Sequence, residues 1–253
     1  MKLLLPVLLA TVFFSLFEPQ QINAEAPDQP TLKRRQISPL FIPPASPTLR
    51  IAFFDADSTL RIAPSGSPSA NHATDVALLP LLTGPLQKLA SEGYLIAIVS
   101  NQAGVAHGHV TLQNADAALA YTVERLASIG APIHYYDFAE LENEDRKPDI
   151  GMARRLADLA STTWNKTIDW QNSLMVGDSA WKEGKDLEPD GTPGDDFSNS
   201  DRLFAENLQK TFGGTTFHHP RDFFGWKAHG VRNFKSHQDL QNFIAKHPEL
   251  APR

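Results

Sequence analysis

Apolar and polar residues alternate along this chain in blocks that predict β-strands followed by α-helices. Mostly apolar runs predict buried strands, because a strand with few polar residues needs cover on both faces. These runs cover residues 50–54, 94–100, 133–138, 173–177 and 215–217. Apolar residues at helical spacing predict helices between and after them, near 79–91, 112–129, 150–160, 200–209 and 238–246. Helices that alternate with apolar strands predict an α/β fold with a doubly wound parallel sheet.

Two polar segments interrupt this alternation. Residues 61–75, rich in Pro, Ser, Gly and Asn, predict a loop that is the best candidate for a small flap. The second polar segment lies at about 181–197. Neither segment is long enough for a separate cap domain, so we expect residues 48–253 to form one domain without a large cap.

The N-terminal segment differs from the rest of the chain. One lysine and an apolar stretch up to Phe17 predict a signal peptide, residues 1–24, because the stretch is short for a membrane span. An uncleaved anchor is the alternative. Residues 25–47 contain several prolines and predict an extended linker or loose arm. We therefore expect an exported protein, periplasmic or secreted, with no stable membrane association after cleavage.

Composition and charge narrow the classes of function. The chain contains no cysteine, which excludes a disulfide framework and thiolate ligation of zinc. Its formal net charge of −6 differs from the strongly basic character typical of nucleic-acid-binding proteins. A nucleic-acid substrate would depend on local basic residues, and we expect Arg61, Lys182 and Lys185 to contact its backbone phosphates.

Acidic and hydroxyl side chains follow the ends of the predicted strands. These residues are Asp55, Asp57, Thr59, Ser100, Asn101 and Asp178. Ligands of open α/β sheets bind at the edge where such strand ends meet. Asp55 and Asp57 should repel each other unless a cation lies between them, which predicts a hard divalent ion such as Mg²⁺. One carboxylate could attack an electrophile while its neighbour transfers protons.

These motifs, in this order across about residues 50–225, resemble those of the haloacid dehalogenase-like (HAD) phosphatases. Within that superfamily, Ser-Asn-Gln-Ala-Gly-Val at 100–105 and Arg-Lys-Pro-Asp-Ile-Gly-Met at 146–152 are similar to the phosphatase domain of polynucleotide kinase 3′-phosphatase. The segment Asp-Phe-Ser-Asn-Ser-Asp-Arg-Leu-Phe-Ala-Glu-Asn at 196–207 resembles the same family. The resemblance implies a phosphatase that acts on phosphomonoesters.

The resemblance also implies a role for each candidate residue. Asp55 would be the nucleophile that forms an aspartyl-phosphate, and Asp57 would protonate the leaving oxygen and then activate water. Ser100, Asn101 and Lys147 would bind the phosphoryl oxygens, with Lys147 supplying a fixed positive charge.

A metal site follows from the same resemblance. Asp55, Asp178 and the backbone carbonyl of Asp57 would bind Mg²⁺. Thr59 would brace the loop by hydrogen bonding.

The resemblance also implies a second acid, which we expect at Asp201, at the head of the predicted helix 200–209. Asp201 follows Asp178 by more than twenty residues, so the resemblance implies an inserted loop at about 181–197. Asp201 would hold a Mg²⁺-bound water or Lys147. Capping of the helix N-terminus is the alternative role. Three other acids compete for the position: Asp186, Asp195 and Asp196.

Some residues depart from the family pattern. Ser58 replaces a glycine, Ala56 a leucine and Ser100 a threonine, which keeps the hydroxyl. His107 lies where relatives often have arginine, and a histidine cannot fork onto a phosphate as arginine does. No Gly-x-x-x-x-Gly-Lys-Ser/Thr motif of a kinase occurs in the sequence.

Three functions remain open from the sequence. The first is a secreted, Mg²⁺-dependent phosphomonoesterase that resembles polynucleotide 3′-phosphatases and acts on 3′-phosphorylated nucleic-acid ends. The second has the same chemistry on small substrates, such as a sugar phosphate or nucleotide. The third is a catalytically silent binding protein, which the intact acids and Lys147 disfavour. The sequence leaves the oligomeric state open.

Overall fold

Five parallel strands form the central sheet, in the order β6-β5-β2-β8-β9. The computed structural model describes residues 32–188, 190–194 and 196–252. The strands are β1 Thr48–Leu49, β2 Ile51–Phe54, β3 Arg61–Ile62, β4 Ala77–Leu78, β5 Leu95–Asn101, β6 Tyr135–Ala139, β7 Thr167–Ile168, β8 Leu174–Val176 and β9 Thr216–His218. Two small additional sheets pair β1 with β7 and β3 with β4.

The helices connect these strands and cover the sheet. They are α1 Thr83–Ser91, α2 Ala103–Ala106, α3 Leu112–Ser128, α4 Gly151–Trp164, α5 Ser200–Phe212, α6 Pro220–Phe223 and α7 His237–Lys246. The helix predicted from residue 79 begins later, at Thr83, because Pro80 lies in a turn before it. α4 continues beyond its predicted end to Trp164 and stops where Asn165 adopts a left-handed conformation, φ 52°.

Neighbouring side chains of the central strand enter the two halves of the core. Phe53 packs edge to face against Phe204 of α5, with ring centroids 5.8 Å apart. Phe54 belongs to the opposite cluster and contacts Phe223 of α6 at 5.6 Å. Both phenylalanines are fully buried, and burying each side chain stabilises the fold by about 2–3 kcal/mol. Apolar cover on both faces of a parallel sheet confirms the predicted doubly wound α/β fold.

Residues 32–47 pack onto the domain, so the prediction of a loose arm is wrong for this part of the segment. Arg34 forms an ion pair with Glu140, just after β6. The buried ring of Phe41 lies 4.6 Å from the ring of His134. Prolines exclude a helix or an interior strand here, but side chains still anchor the backbone.

The predicted signal peptide, residues 1–24, lies outside the described residues, as do residues 25–31. In the part of the chain that the structure describes, no helix has the length and apolar character needed to cross a membrane.

The polar loop predicted at 61–75 is shorter than expected, because β3 and β4 pair in antiparallel fashion at its base. The Asp75 carboxylate holds the two ends of this loop together. It accepts hydrogen bonds from the Ser65 backbone N–H at 2.8 Å and from the Ser65 hydroxyl at 2.7 Å. These hydrogen bonds outweigh the effect of burial and lower the pKa of Asp75. The loop therefore has a fixed internal structure.

Candidate active site

The carboxyl ends of β2, β5 and β8 meet at one edge of the sheet, as expected for a parallel arrangement. They bring Asp55, Ser100 and Asp178 to the wall of a cavity of about 930 Å³. Asp57, Asn101, Lys147 and Asp201 line the same cavity. The structure thus brings the sequence-predicted residues together, while Thr59 is buried just behind the wall.

Lys147 is the positive centre of the site. Its Nζ lies 2.6 Å from Oδ1 of Asp55 and 2.7 Å from Oδ1 of Asp201, and the residue is only 2% exposed. Burial alone would lower the pKa of Lys147, but Asp201 and Asp55 outweigh it and raise the pKa to about 12. The ammonium is therefore a permanent buried charge.

Asn101 positions Lys147 through the backbone. The Lys147 N–H donates to Oδ1 of Asn101, and Nδ2 of Asn101 donates to the Lys147 carbonyl, both at 2.9 Å. Both the oxygen and the nitrogen of the Asn101 side chain are therefore hydrogen-bonded to the Lys147 backbone. This differs from the expectation that Asn101 binds the phosphoryl oxygens directly. Pro148 lies in the following turn, and α4 begins three residues later, at Gly151.

Three buried carboxylates crowd together beside Lys147. Each of Asp55, Asp178 and Asp201 offers an oxygen, and these oxygens all lie within 4.8 Å of one another. Burial raises the pKa of Asp55 to about 7, against the opposing charge of Lys147 and with repulsion from Asp201 and Asp57 adding to it. Burial and the charges of Asp55 and Asp201 likewise raise the pKa of Asp178 well above its usual value. One lysine does not balance three such acids, so the oxygen set fits a divalent cation.

Asp201, the expected second acid, lies beside Asp55, Asp178 and Lys147. Its Oδ2 accepts a hydrogen bond from the Ser179 N–H at 3.0 Å. A Cβ on Gly177 would lie 2.3 Å from Oδ2 of Asp201, so only glycine fits before Asp178. Asn199 occupies the N-cap of α5 without a side-chain hydrogen bond, and the alternative capping role of Asp201 is wrong.

Two of the competing acids lie in a separate cluster around Arg232. Nε of Arg232 donates to Oδ1 of Asp196 at 3.0 Å, and its Nη2 forms an ion pair with Asp186. Burial would raise the pKa of Asp196, but hydrogen bonds from His219 and Arg232 outweigh it and lower the pKa. Asp186 and Asp196 anchor the inserted loop, and Asp195 lies outside the described residues.

Thr59 and Ser100 make side-chain hydrogen bonds at the ends of neighbouring strands. The Thr59 hydroxyl donates to Oδ1 of Asp178 at 3.4 Å, which braces the end of β8 against the first loop. Oγ of Ser100 accepts from Nε2 of Gln102 at 2.8 Å, so its own proton is available to a ligand.

Asp57 is held by two side chains that the sequence analysis did not assign to it. Nε of Arg61 donates to Oδ1 of Asp57 at 2.9 Å, and Nε2 of Gln102 donates to Oδ2 at 2.9 Å. Arg61 is fully buried, so its expected contact with substrate phosphates is wrong. Gln102 follows Ser100 and Asn101 at the same strand end, a position that could have identified it.

Further residues of the cavity lining carry basic, imidazole and aromatic side chains. Arg146, His107, Phe197 and Lys235 line the cavity, whereas Lys182 and Lys185 are exposed on the inserted loop away from the lining. Nη1 of Arg146 is buried without a hydrogen-bond partner among the described residues. Phe197 is 87% exposed.

Ser58 follows Asp57 at the position where the family pattern has glycine. It adopts φ 58°, the left-handed region that favours glycine, and its N–H donates to the Arg61 carbonyl at 2.8 Å. The tight turn survives the substitution at a cost in strain.

Known proteins that match this chain are phosphatases where their names state an activity. The chain is 30% identical over 134 residues to a D-glycero-beta-D-manno-heptose-1,7-bisphosphate 7-phosphatase of Rhodopseudomonas palustris, covering 49% of this chain and 71% of the relative. It is 34% identical over 164 residues to an uncharacterized 20.8 kDa protein of Autographa californica nuclear polyhedrosis virus, covering 64% and 81%.

A solved structure and a family match complete the comparison. The crystal structure of a B. bronchiseptica D,D-heptose 1.7-bisphosphate phosphatase, complexed with magnesium and phosphate, aligns with TM-score 0.49 at 16% identity. The alignment covers 79% of this chain and 99% of that one. Residues 50–224 match the family described as polynucleotide kinase 3 phosphatase. The chain belongs to this family and, with it, to the phosphatases of the haloacid dehalogenase-like superfamily.

Proposed function

We propose that the protein is a Mg²⁺-dependent phosphomonoesterase that acts through an aspartyl-phosphate on Asp55. The observation that carries this proposal is the contact of Asp55 with Lys147 beside two further buried acids at the cavity wall. An Asp55 oxygen attacks phosphorus while the bond to the leaving oxygen breaks and Asp57 gives that oxygen a proton. Water then attacks the phosphoryl group, Asp57 accepts its proton, and Asp55 is released with inorganic phosphate.

The remaining residues stabilise the transferred group. Lys147 supplies positive charge next to the attacking carboxylate, and the Ser100 hydroxyl donates to a phosphoryl oxygen. Asn101 keeps Lys147 in place through its two backbone contacts. Phosphoryl transfer depends mainly on such positioning and charge neutralisation.

The acidic cluster supports a magnesium site. Asp55 and Asp178 would be the side-chain ligands, with the Asp57 carbonyl as a third protein ligand, and Asp201 offers a further oxygen beside them. Bound Mg²⁺ would neutralise charge on the phosphoryl oxygens. Burial and mutual repulsion raise the pKa of Asp55 and Asp178, and a bound cation would relieve that repulsion.

We propose a 3′-phosphorylated nucleic-acid end as the substrate. The family match supports this class. A cavity of about 930 Å³ is much larger than one phosphate needs, so flanking nucleotide could enter it. Arg146 and Lys235 provide positive charge there, and the exposed ring of Phe197 provides a surface on which a base can stack.

Small phosphorylated metabolites are the second candidate class. The net charge of −6 and the relative named as a sugar bisphosphatase favour them. The exposed His107 also lies at the cavity, where an arginine would bind backbone phosphate more strongly.

The two substrate classes differ in their dependence on chain length and salt. We would compare kcat/KM for a nucleoside 3′-monophosphate and a 3′-phosphorylated oligonucleotide at two salt concentrations. The proposal expects higher kcat/KM for the oligonucleotide and a loss with added salt, since backbone contacts release counterions. Equal values at both concentrations would contradict the nucleic-acid assignment. Absence of turnover on any ester with Mg²⁺ would favour a silent binding protein.

We propose that the protein is exported. Support comes from the sequence of residues 1–24, with an apolar stretch and small Ala24 before Glu25. N-terminal sequencing of protein from the native host should give a mature chain that begins at or near Glu25. Soluble cytoplasmic protein with Met1 intact would contradict export, and Met1 intact in membranes would indicate an anchor.

A further inference from the structure

We propose that Arg61 is a positioning residue that fixes the carboxylate of Asp57 for proton transfer to the leaving oxygen. The inference rests on the proposed function, in which Asp57 is the acid and base. It assigns to Arg61 an indirect role in catalysis in place of a contact with substrate.

A tight turn after β2 brings the two residues together. The backbone N–H groups of Leu60 and Arg61 both donate to the Ala56 carbonyl, at 2.9 Å and 3.1 Å. This tight turn, in which Ser58 adopts a left-handed conformation, brings Asp57 and Arg61 together, and the two residues form an isolated β-bridge. Nε of Arg61 therefore reaches Oδ1 of Asp57 at 2.9 Å, and Nη2 reaches Oδ2 at 3.3 Å. The guanidinium thus donates hydrogen bonds to both carboxylate oxygens. This bidentate geometry fixes the plane of the carboxylate.

The other end of Arg61 is anchored in the core. Nη1 donates to Oγ1 of Thr122 on α3 at 2.9 Å, and that hydroxyl donates to the Ala118 carbonyl at 2.7 Å. Arg61 is fully buried, and so is Thr122. The contact with Thr122 fixes the position of the guanidinium. Its hydrogen bonds to Asp57 in turn fix the orientation of the Asp57 carboxylate.

Two other groups complete the contacts of the Asp57 carboxylate. Gln102 donates to Oδ2 at 2.9 Å and also to Ser100, and the Ala70 N–H lies 3.4 Å from Oδ1. Neither Gln102 nor the Ala70 N–H donates to both oxygens of Asp57. Arg61 is therefore the residue that determines the carboxylate plane. A misplacement of about 1 Å in such a group can lower the rate on the order of 10²-fold.

The test compares two esters that differ in their need for a proton. p-Nitrophenolate leaves without one, whereas the secondary alkoxide of glycerol 2-phosphate must receive a proton as its bond to phosphorus breaks. In Arg61→Lys, which cannot grip both oxygens, we expect kcat/KM for the alkyl ester to fall about 10²-fold and that for the aryl ester less than about threefold. kcat/KM reports this first step only, because departure of the alcohol is irreversible under these conditions.

Binding of BeF₃⁻ with Mg²⁺ separates positioning from general damage. This mimic of the phosphoryl group needs Asp55 but no proton transfer, so its Kd in Arg61→Lys should stay within about threefold of wild type. Thr122→Val removes the anchor of Arg61 with little change of shape, and should give the same ester difference at about five- to tenfold. It serves as the second variant if Arg61→Lys fails to fold.

Arg34→Lys is the matched control, because Arg34 also grips a carboxylate, that of Glu140, away from the cavity. It should leave the ratio of the two kcat/KM values unchanged. Equal losses on both esters in Arg61→Lys and Thr122→Val, with wild type active on both, would overturn this inference alone. A wild-type enzyme that hydrolyses neither these esters nor a 3′-phosphorylated oligonucleotide with Mg²⁺ would overturn the proposed function as well.

Discussion

Lys147 and Asp55 form a direct buried ion pair, with Nζ and Oδ1 only 2.6 Å apart. The lysine comes from the turn before α4 and the aspartate from the end of the central strand, so the pair joins two parts of the fold. Asp201 shares the same ammonium at 2.7 Å. One buried cation therefore contacts the carboxylate that we propose as the nucleophile and keeps positive charge where phosphoryl oxygens would arrive.

Replacing the attacking oxygen should abolish activity without harming the fold. In Asp55→Asn, turnover with Mg²⁺ should fall at least on the order of 10⁴-fold, because the amide cannot form the phosphoryl-enzyme. Tm in the absence of metal should stay the same or rise, since one of three crowded acids loses its charge while Asp201 still neutralises Lys147. The exposed Asp190→Asn is the control and should change neither quantity. Wild-type-like turnover in purified Asp55→Asn would refute the mechanism.

The acidic cluster should make the effect of Mg²⁺ on stability depend on pH. The pKa of Asp55 is raised from 3.8 to about 7, so the folded state favours its protonated form. This contribution to stability is complete below the unfolded value and is lost as pH rises through about 7. The metal-free protein should therefore unfold more easily at pH 8 than at pH 5.

Mg²⁺ bound to the ionised acids, as we propose, should offset that loss. We expect its stabilising effect on Tm to be larger at pH 8 than at pH 5 by on the order of 5 °C. Thermal unfolding with EDTA or Mg²⁺ at both pH values measures this. Asp178→Asn should remove most of the Mg²⁺ effect, and an equal effect at both pH values would contradict the assignment of these ligands.

The fold and the catalytic edge were predictable from local patterns. Ile51–Phe54 is entirely apolar, which predicts a strand covered on both faces. Parallel strands place their carboxyl ends at the same edge of the sheet. Asp55, Ser100 and Asp178 follow from that rule, because each stands at or just after the end of its strand.

Interactions between distant segments were harder to predict. The direction in which Arg61 points depends on the turn that follows Asp57, and a basic residue near a motif looks the same in sequence whether it is buried or exposed. Asp201 lies far along the chain from Asp178. Its contact with Lys147 was one of two expected roles, whereas its contact with the Ser179 N–H is seen only in the folded loop. Prolines in residues 32–47 exclude regular structure but do not indicate packing.

The exposed ring of Phe197 should contribute to binding of a nucleic-acid end. The neighbouring Asp196 is fixed by Arg232, so the backbone that carries the ring is well anchored. Phe197→Ala should raise KM for a 3′-phosphorylated oligonucleotide about 5- to 100-fold, the equivalent of one stacked base, and leave kcat within about twofold. Phe197→Trp should keep KM near wild type.

Leu40→Ala is the matched control, because Leu40 is also 87% exposed but lies outside the cavity lining. It should leave KM unchanged. An unchanged KM in Phe197→Ala would show that no base stacks there, and would favour a small substrate.

The segment before β1 should stabilise the domain through Arg34. Its side chain is 8% exposed, and two of its nitrogens donate to the Glu140 carboxylate. The guanidinium also donates to the Phe138 carbonyl at 3.2 Å and lies 4.5 Å from the centre of the Phe138 ring. Arg34→Ala leaves a partly buried carboxylate without its partner, so we expect the free energy of unfolding to fall by about 1–3 kcal/mol.

Lys33→Ala removes the adjacent positive charge from an exposed pair with Glu124 and keeps the backbone contact of residue 33 with Asp116. Exposed pairs contribute little, so this variant should lose less than about 1 kcal/mol. Urea unfolding of both variants, with wild type measured in parallel, gives the comparison. If Arg34→Ala were no less stable than Lys33→Ala, the contacts of Arg34 would contribute nothing to stability, and residues 32–47 would behave as the loose arm that their prolines predict.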